Sequence, residues 1–215
     1  MSHKDIIQAI KQQKILPLFY HDDAETCVQV TKALYDGGIR CIEFTNRGDQ
    51  ALANFKKLVE YRNHHLPGLL LATGTIKTAT HAKDFTDAGA NFLISPVFDL
   101  SVSEFVKANN ILWIPGCMTP TEIHVAQQSG CSLVKLFPGN VLGVDFVEGI
   151  KPLFTGIDYL VTGGVEATQQ NMSAWFKAGV AGVGLGSKLI TKELLANKNF
   201  SELADKTKEL LNLVH

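Results

Sequence analysis

The sequence has few cysteines, and none of them forms a Cys-x-x-Cys pair. Its 215 residues include four, which lie far apart at Cys27, Cys41, Cys117 and Cys131. That spacing gives no support to a zinc site or to a thiol redox motif. We therefore expect a reduced, cytoplasmic protein, and the length is suited to a single domain over residues 1–215.

Long apolar runs and a surplus of one charge are missing as well. No apolar stretch approaches the roughly 18 residues of a membrane span. The amphipathic N-terminus, MSHKDIIQAIKQQK, lacks the apolar core of a signal peptide. The 20 basic and 21 acidic residues nearly cancel and form no basic stripe or tail. We therefore expect neither a membrane nor a nucleic acid as a partner.

A repeated junction between two kinds of segment is the strongest feature that is present. A helical stretch ends at glycine and an apolar run follows, in LYDGGIRCIEF, FTDAGANFLIS, AQQSGCSLVKLF and FKAGVAGVGLG. Glycine just past the last turn commonly ends a helix. A short apolar run is typical of a strand that is buried on both faces of a parallel sheet. The repeated order predicts an α/β fold.

Eight strands are predicted from these apolar runs, over residues 15–19, 41–45, 69–73, 91–95, 112–114, 133–137, 159–162 and 181–185. Helical patterns lie between them, and two further helices are predicted before the first strand and near residues 201–213. The first strand–helix turn lacks the G-x-G-x-x-G of a dinucleotide site. The pattern favours a closed (β/α)₈ TIM barrel with an additional N-terminal helix over an open doubly wound sheet.

Lys135 stands out among the 17 lysines, because it alone lies inside an apolar strand run, LVKLF. Alternation along the strand points Lys135 away from Val134 and Leu136. If those two residues face the helices, Lys135 points into the barrel. Burial disfavours the charged ammonium, and a neutral amine can attack a carbonyl. A structural ion pair explains the same position, so the residues alone leave both roles open.

Glu43 is a second charged residue inside a predicted strand, where it lies between Ile42 and Phe44. The second and sixth strands of an eight-stranded barrel are opposite each other. We therefore expect Glu43 to face Lys135 across the barrel mouth. A carboxylate in an apolar wall can transfer protons during catalysis. It can also serve only as the counter-ion of the lysine.

Two features at the ends of predicted strands are suited to binding anions. Arg47 follows the second strand, where a guanidinium could bind a carboxylate or phosphate, or simply be solvated. The pairs Gly163-Gly164 and Gly186-Ser187 follow the last two strands, where barrels commonly bind phosphate. Glycine lets backbone N–H groups approach an anion, although any tight turn can use it too.

Taken together, these residues give a chain that resembles the 2-keto-3-deoxy-6-phosphogluconate aldolase family, also called bifunctional 4-hydroxy-2-oxoglutarate aldolases. The resemblance covers nearly the whole chain and rests on I-E-F-T-N-R, G-T-I, I-S-P, I-P-G-C-M-T-P-T-E, V-K-L-F-P and T-G-G-V, in this order. It implies a class I aldolase that cleaves one or both of these keto-acids to pyruvate and an aldehyde, glyceraldehyde 3-phosphate or glyoxylate. It also implies a cytoplasmic homotrimer that needs no metal or cofactor.

The resemblance further implies a role for each candidate site residue. Lys135 matches the lysine that forms an imine with pyruvate, and Glu43 matches the acid/base carboxylate. Arg47 and Thr75 match residues that hold the pyruvyl carboxylate and neighbouring oxygens. The far end of the substrate site, which takes the phosphate, is matched by Thr162, Gly163, Gly164, Gly186 and Ser187.

Four residues, at three places in the chain, depart from the pattern of the family. Tyr20 ends the first strand, where many members carry arginine. Gly139-Asn140 follows Phe-Pro where some members have Ala-Glu, and Val161 stands where proline often precedes T-G-G. These differences leave the imine chemistry intact and concern the aldehyde half of the substrate.

Two other functions remain open when only the residues are considered. A phosphate-binding barrel that isomerises or epimerises a sugar phosphate would explain the glycine pairs equally well. It would not require a lysine inside the sixth strand opposite a glutamate. A non-catalytic ligand-binding barrel is the second alternative, and the presence of both Lys135 and Glu43 weighs against it.

Overall fold

The computed structural model describes residues 1–214, and in this part of the chain we find nine strand segments and ten helices. The strands are β1 (Ile15–Phe19), β2 (Cys41–Thr45), β3 (Leu70–Gly74), β4 (Phe92–Ile94), β5 (Trp113–Ile114), β6 (Gly116–Cys117), β7 (Leu133–Leu136), β8 (Asp158–Thr162) and β9 (Gly182–Leu185). The helices are α1 (His3–Gln13), α2 (Ala24–Asp36), α3 (Ala51–His65), α4 (Ala79–Asp87), α5 (Leu100–Ala108), α6 (Pro120–Gln128), α7 (Gly139–Ile150), α8 (Gln169–Ala178), α9 (Lys192–Ala196) and α10 (Phe200–Val214).

All paired strands run parallel, in the order β5-β4-β3-β2-β1-β9-β8-β7-β6. The two segments at the ends of this order, β5 and β6, are separated in sequence only by Pro115. The carbonyl of Pro115 accepts a hydrogen bond of 2.8 Å from the N–H of Lys135. The fifth predicted strand, residues 112–114, is thus found as β5 and continues beyond Pro115 as β6, and the nearly closed parallel barrel with its N-terminal helix is confirmed.

Alternation along the strands divides the core into two layers. The inner layer lies inside the barrel and includes Cys41, Ala72, Phe92, Leu133 and Leu160. The outer layer lies between the strands and the helices and includes Ile42, Phe44, Val134, Leu136 and Val161. Glu43 and Lys135 share strand faces with inner-layer residues, so the predicted inward direction of both side chains is confirmed.

Local sequence signals set where the helices begin. The side chain of Asp23 accepts a hydrogen bond from the N–H of Thr26 and so caps α2. Thr119 and Glu122 form a reciprocal capping box at the start of α6, with proline in its first turn. These caps fix the strand–helix loops at one end of the barrel, where the carboxyl ends of the strands lie.

The N-terminal helix α1 covers the opposite end of the barrel. Ile6 and Ile10 of this helix pack against the inner layer. Lys11 forms an ion pair of 2.7 Å with Asp158 at the start of β8. The side-chain amide of Gln13 hydrogen-bonds to the backbone of β1 and β2. Since α1 covers this end, substrate access is expected at the carboxyl ends of the strands.

The helices and the cysteines of the described residues have one further property each. Within residues 1–214, no helix has both the length and the apolar character that a membrane crossing requires. All four cysteines are free thiols, and all but Cys131 are buried.

Candidate active site

Lys135 and Glu43 meet inside the barrel, as expected for strands on opposite walls. The lysine Nζ lies 3.6 Å from Oε1 of the glutamate. Both residues are buried, with only 5% of Lys135 and 0% of Glu43 exposed. Among the described residues, neither carboxylate oxygen has a hydrogen-bond partner. This distance exceeds hydrogen-bond length, so the lysine amine lies near the glutamate carboxylate, a proton acceptor, without forming a hydrogen bond to it.

A buried ion pair of this kind is a poor way to stabilise a fold. Removing two charges from water costs several kcal/mol per ion, by order of magnitude, unless hydrogen bonds satisfy the remaining polar atoms. The unpaired oxygens of Glu43 do not meet that condition. Proteins keep such locally unfavourable arrangements mainly where function requires them. The geometry therefore favours a chemical role for the pair over a purely structural one.

Gly74 is a site residue that the sequence did not reveal. It ends β3 beside Thr45 of β2. A Cβ at position 74 would lie 1.8 Å from Oε1 and 2.6 Å from Cδ of Glu43. The carboxylate of Glu43 therefore occupies space that only glycine leaves open. Nothing in a sequence pattern states which side chain a strand glycine will contact, so no signal in the sequence pointed to this role.

Thr75 follows immediately and has an uncommon backbone conformation. Its φ is +63°, in the left-handed region that β-branched residues rarely adopt. Such strained positions persist where the surrounding structure holds them, and they concentrate at functional sites. The next N–H, of Ile76, donates to the carbonyl of Ile94. Thr75 is thereby held at the mouth where β3 and β4 end.

Arg47 lies in the segment that follows β2, on the same side of the mouth as Thr75, because β2 and β3 are paired. Its backbone N–H donates to the carbonyl of Thr45 at 3.0 Å. The residue is exposed, and it takes part in none of the six ion pairs between described residues. Its guanidinium is therefore available to an anion at the mouth.

The segment Pro96-Val97, after β4, packs closely against Gly116 of β6. Gly116 pairs with Lys135 in the barrel. A Cβ at Gly116 would lie 2.2 Å from the carbonyl carbon and oxygen of Pro96. The ring of Phe137 lies 5.5 Å from Nζ of Lys135. The carbonyl of Pro96 and the ring of Phe137 therefore both lie near the strand position that carries Lys135.

The predicted phosphate loops lie side by side, because β8 and β9 are paired. Gly163 and Gly164 have φ values of +92° and +70°, which glycine tolerates far better than other residues. The buried hydroxyl of Thr162 has no hydrogen-bond partner within the described chain. After β9, the N–H groups of Leu189 and Ile190 donate to the carbonyl of Gly186 and form a helical turn. Ser187 lies exposed in that turn.

Two of the departures from the family pattern are in direct contact. A Cβ at Gly139 would lie 2.6 Å from Cγ1 of Val161 and 2.8 Å from the carbonyl oxygen of Gly163. The N–H of Asn140 donates to that carbonyl at 2.9 Å. Glycine at position 139 therefore leaves space for valine at 161, and the loops after β7 and β8 pack as one unit.

The structure thus places the predicted residues in two groups at the mouth of the barrel, one on each side of β1. Arg47 and Thr75 follow β2 and β3, while the glycine loops follow β8 and β9. Within residues 1–214, no group of three or more His, Cys, Asp or Glu side chains is arranged to hold a metal ion. The chemistry available at this site comes from an amine, a carboxylate and groups that bind anions.

Several known proteins are similar to this chain in sequence. A 2-dehydro-3-deoxy-phosphogluconate aldolase of Treponema pallidum (strain Nichols) is 28% identical over 210 residues, which cover 97% of both chains. A 2-dehydro-3-deoxy-6-phosphogalactonate aldolase of Escherichia coli (strain K12) is 26% identical over 158 residues, which cover 73% of this chain and 75% of that protein.

A solved structure with a bound intermediate is also similar. The KDPG aldolase of Legionella pneumophila, with pyruvate captured as a covalent carbinolamine intermediate, matches with a TM-score of 0.87 and 25% identity. The match covers 95% of this chain and 97% of that one. Residues 6–205 match the family described as KDPG and KHG aldolase. The chain therefore belongs to the KDPG and KHG aldolase family.

Proposed function

We propose that this protein is a class I aldolase that cleaves a 2-keto-3-deoxy acid into pyruvate and an aldehyde through an imine on Lys135. The observation that carries the proposal is the buried lysine amine 3.6 Å from Oε1 of Glu43. Family membership supports it, as does the carbinolamine of pyruvate in the similar Legionella pneumophila enzyme.

The proposed reaction begins with proton transfer within the central pair. Glu43 accepts a proton from the ammonium of Lys135, and the neutral amine attacks C2 of the keto-acid. The protonated Glu43 returns its proton to the departing hydroxyl, and loss of water gives a protonated imine. Because Nζ and Oε1 are 3.6 Å apart, a small side-chain movement brings the pair to hydrogen-bond length for the first transfer, and it keeps the carboxyl beside the carbon that the amine attacks for the second.

Carbon–carbon cleavage follows from the electron demand of the imine. Glu43, again a carboxylate, removes the proton of the C4 hydroxyl, directly or through a water. The C3–C4 bond breaks, its electrons move into the imine to form an enamine, and the aldehyde leaves. Protonation of the enamine at C3 and hydrolysis of the imine release pyruvate and restore Lys135.

The residues at the barrel mouth orient the substrate by binding its two ends. Arg47 and Thr75 bind the pyruvyl carboxylate and neighbouring oxygens on one side of the mouth. The phosphate binds on the other side, where the backbone N–H groups of the glycine loops donate to it. This phosphate site is formed by Thr162, Gly163, Gly164, Gly186 and Ser187. Relatives named for phosphogluconate and phosphogalactonate substrates support a phosphorylated six-carbon keto-acid. The shorter 4-hydroxy-2-oxoglutarate would use only the first group.

We also propose that the chain acts as a single-domain, cytoplasmic homotrimer, in line with the family resemblance. Six exposed large apolar side chains are evidence for an interface between copies of the chain. All six lie in loops and helices around the neighbouring strands β4 to β7. They are Val97, Leu100, Met118, Val125, Val141 and Leu153. Light scattering after gel filtration tests this proposal, and a monomer at micromolar concentration would contradict it.

Trapping the imine tests the proposed function. Pyruvate with borohydride should inactivate the protein and leave a stable adduct on Lys135, because borohydride reduces a protonated imine. Lys135→Met should form no adduct, whereas Lys188→Met, which removes an exposed lysine amine, should react like the wild type. An adduct on another lysine would contradict the role of Lys135. No adduct at all would favour a phosphate-binding isomerase or epimerase, or a non-catalytic barrel.

A further inference from the structure

Tyr20 is the first residue after β1, which lies between β2 and β9 in the barrel. Its ring packs on Phe44 of β2, with the ring centroids 5.8 Å apart. Phe44 belongs to the outer layer, so the Tyr20 side chain lies across the end of β2 and does not point into the barrel. It therefore reaches toward the segment that carries Arg47.

The hydroxyl of Tyr20 lies against the backbone beside Arg47. A Cβ at Gly48 would lie 2.2 Å from the phenolic oxygen and 2.6 Å from Cζ. Only glycine permits so close an approach, because any other side chain would displace the phenol or the segment. The residue that follows Arg47 is thus packed directly on Tyr20.

Three hydrogen bonds hold the loop after β1, on the far side of this contact. The Tyr20 hydroxyl donates to the carboxylate of Asp22, and this bond raises the pKa of the phenol to about 12. The side-chain amide of Asn54, a buried residue of α3, donates to the carbonyls of His21 and Asp22 at 3.1 Å and 2.8 Å. The loop after β1 is therefore hydrogen-bonded to α3, the helix that follows the Arg47 segment.

We propose that Tyr20 is a positioning residue for Arg47, holding the segment that follows β2 so that the guanidinium meets the substrate carboxylate. This inference rests on the proposed function, in which Arg47 binds that carboxylate. A long exposed side chain loses freedom when it binds, and a fixed backbone reduces that cost. The benefit applies to every keto-acid substrate, because each carries the same carboxylate.

The test compares Tyr20→Phe with wild type on two substrates, the phosphorylated six-carbon keto-acid and 4-hydroxy-2-oxoglutarate. The variant keeps the ring on Phe44 and loses only the hydroxyl. KM should rise roughly tenfold for both substrates, about the effect of one lost hydrogen bond, while kcat changes less than about twofold. Gly48→Ala should give the same split, because its methyl group displaces the phenol from the other side.

Tyr35→Phe is the matched control, because the Tyr35 hydroxyl donates to the carbonyl of Pro67, outside the site. That variant should leave both KM values unchanged. A double-mutant cycle then asks whether Tyr20 acts through Arg47. In an Arg47→Met background, Tyr20→Phe should raise KM no further, since the group being positioned is gone.

Three results would overturn the inference. They are unchanged KM values in Tyr20→Phe, a rise confined to the phosphorylated substrate, and a full additional rise in the Arg47→Met background. Borohydride trapping separates this failure from failure of the proposed function. If wild type forms the Lys135 adduct but KM does not respond to Tyr20→Phe, only the role of Tyr20 is wrong. If wild type forms no adduct, the proposed function and this inference fail together.

Discussion

Gly74 and Glu43 share one small volume at the mouth of the barrel, and the glutamate carboxylate fills it. A Cβ on Gly74 would approach Oε1 of Glu43 to 1.8 Å. The φ of Gly74 lies outside the left-handed region, so its backbone does not itself require glycine. The missing side chain therefore determines where the proposed acid/base group can lie relative to Lys135.

We predict that Gly74→Ala will fold but lose roughly 10- to 100-fold in kcat. The added methyl group must push the carboxylate away from its place near Lys135, and a misplacement of about 1 Å at a reacting group can cost 10²-fold. Steady-state cleavage rates and thermal unfolding measure the two effects. Gly149→Ala in α7 is the matched control, because a Cβ there meets nothing within 4 Å. Wild-type turnover in Gly74→Ala would show that the position of the carboxylate is not critical.

Glu43→Gln is predicted to fold and to lose about 10²–10⁴-fold in kcat, the usual contribution of a positioned proton-transfer group. The amide keeps the shape of the side chain but cannot accept the proton of the C4 hydroxyl. Imine trapping by borohydride should also slow, because the same carboxylate assists loss of water. Glu166→Gln, which alters an exposed ion pair with Lys188, should leave turnover unchanged. Near-normal cleavage by folded Glu43→Gln would exclude the acid/base role.

The facing of Glu43 and Lys135 could be predicted because it follows from two regular properties. Strand alternation gives the direction of each side chain, and the opposite placement of two strands in an eight-stranded barrel gives the contact. The interruption at Pro115 was not predicted. Proline has no N–H to donate to the sheet, but whether a strand resumes beyond it depends on its neighbours.

The contacts of Tyr20 and Gly74 could not be predicted from local patterns. Tyr20 follows Phe19 of the outer layer, so strand alternation would point it into the barrel, yet its ring lies across β2 because Gly48, far along the chain, leaves room for it. Such close approaches depend on the three-dimensional path of loops, which periodicity does not encode. The resemblance to a family located the Arg47 segment but did not reveal what holds it.

The buried thiols predict a loss of stability at alkaline pH. Burial raises the pKa of Cys41 to about 12, whereas an unfolded cysteine ionises near pH ~8.5. Between these values the folded state retains a proton that the unfolded state has lost, so the free energy of unfolding falls as pH rises. Cys41→Ala should make this slope shallower by about 1.4 kcal/mol per pH unit between pH 9 and 11.

Urea unfolding at several pH values measures that slope. Val30→Ala is the control, since it truncates another fully buried side chain without removing a titrating group. Its slope should match that of the wild type even though its stability is lower. Equal slopes in wild type and Cys41→Ala would mean that this thiol ionises in the folded protein as readily as in the unfolded chain.

The loop after β8 is predicted to discriminate between substrates by their length. Gly164→Ala places a methyl group 2.2 Å from Cβ of Asn140 and forces a non-glycine residue to φ +70°. The loop must shift, so its N–H groups should lose their alignment with the phosphate. We expect KM for the phosphorylated keto-acid to rise roughly tenfold or more, the value of one charge-assisted hydrogen bond, with little change for 4-hydroxy-2-oxoglutarate.

Gly130→Ala is the matched control for Gly164→Ala, because it introduces the same backbone strain without altering the proposed anion site. Gly130 also has a positive φ, +89°, but lies before β7 at the opposite end of the barrel, and a Cβ there meets nothing within 4 Å. This control should lose stability while both KM values stay unchanged. The kcat/KM values for the two substrates then show whether the loop after β8 binds phosphate. Equal kcat/KM values for the two substrates in the wild type, with equal losses in Gly164→Ala, would mean that the glycines serve only the turn and that the true substrate lacks phosphate.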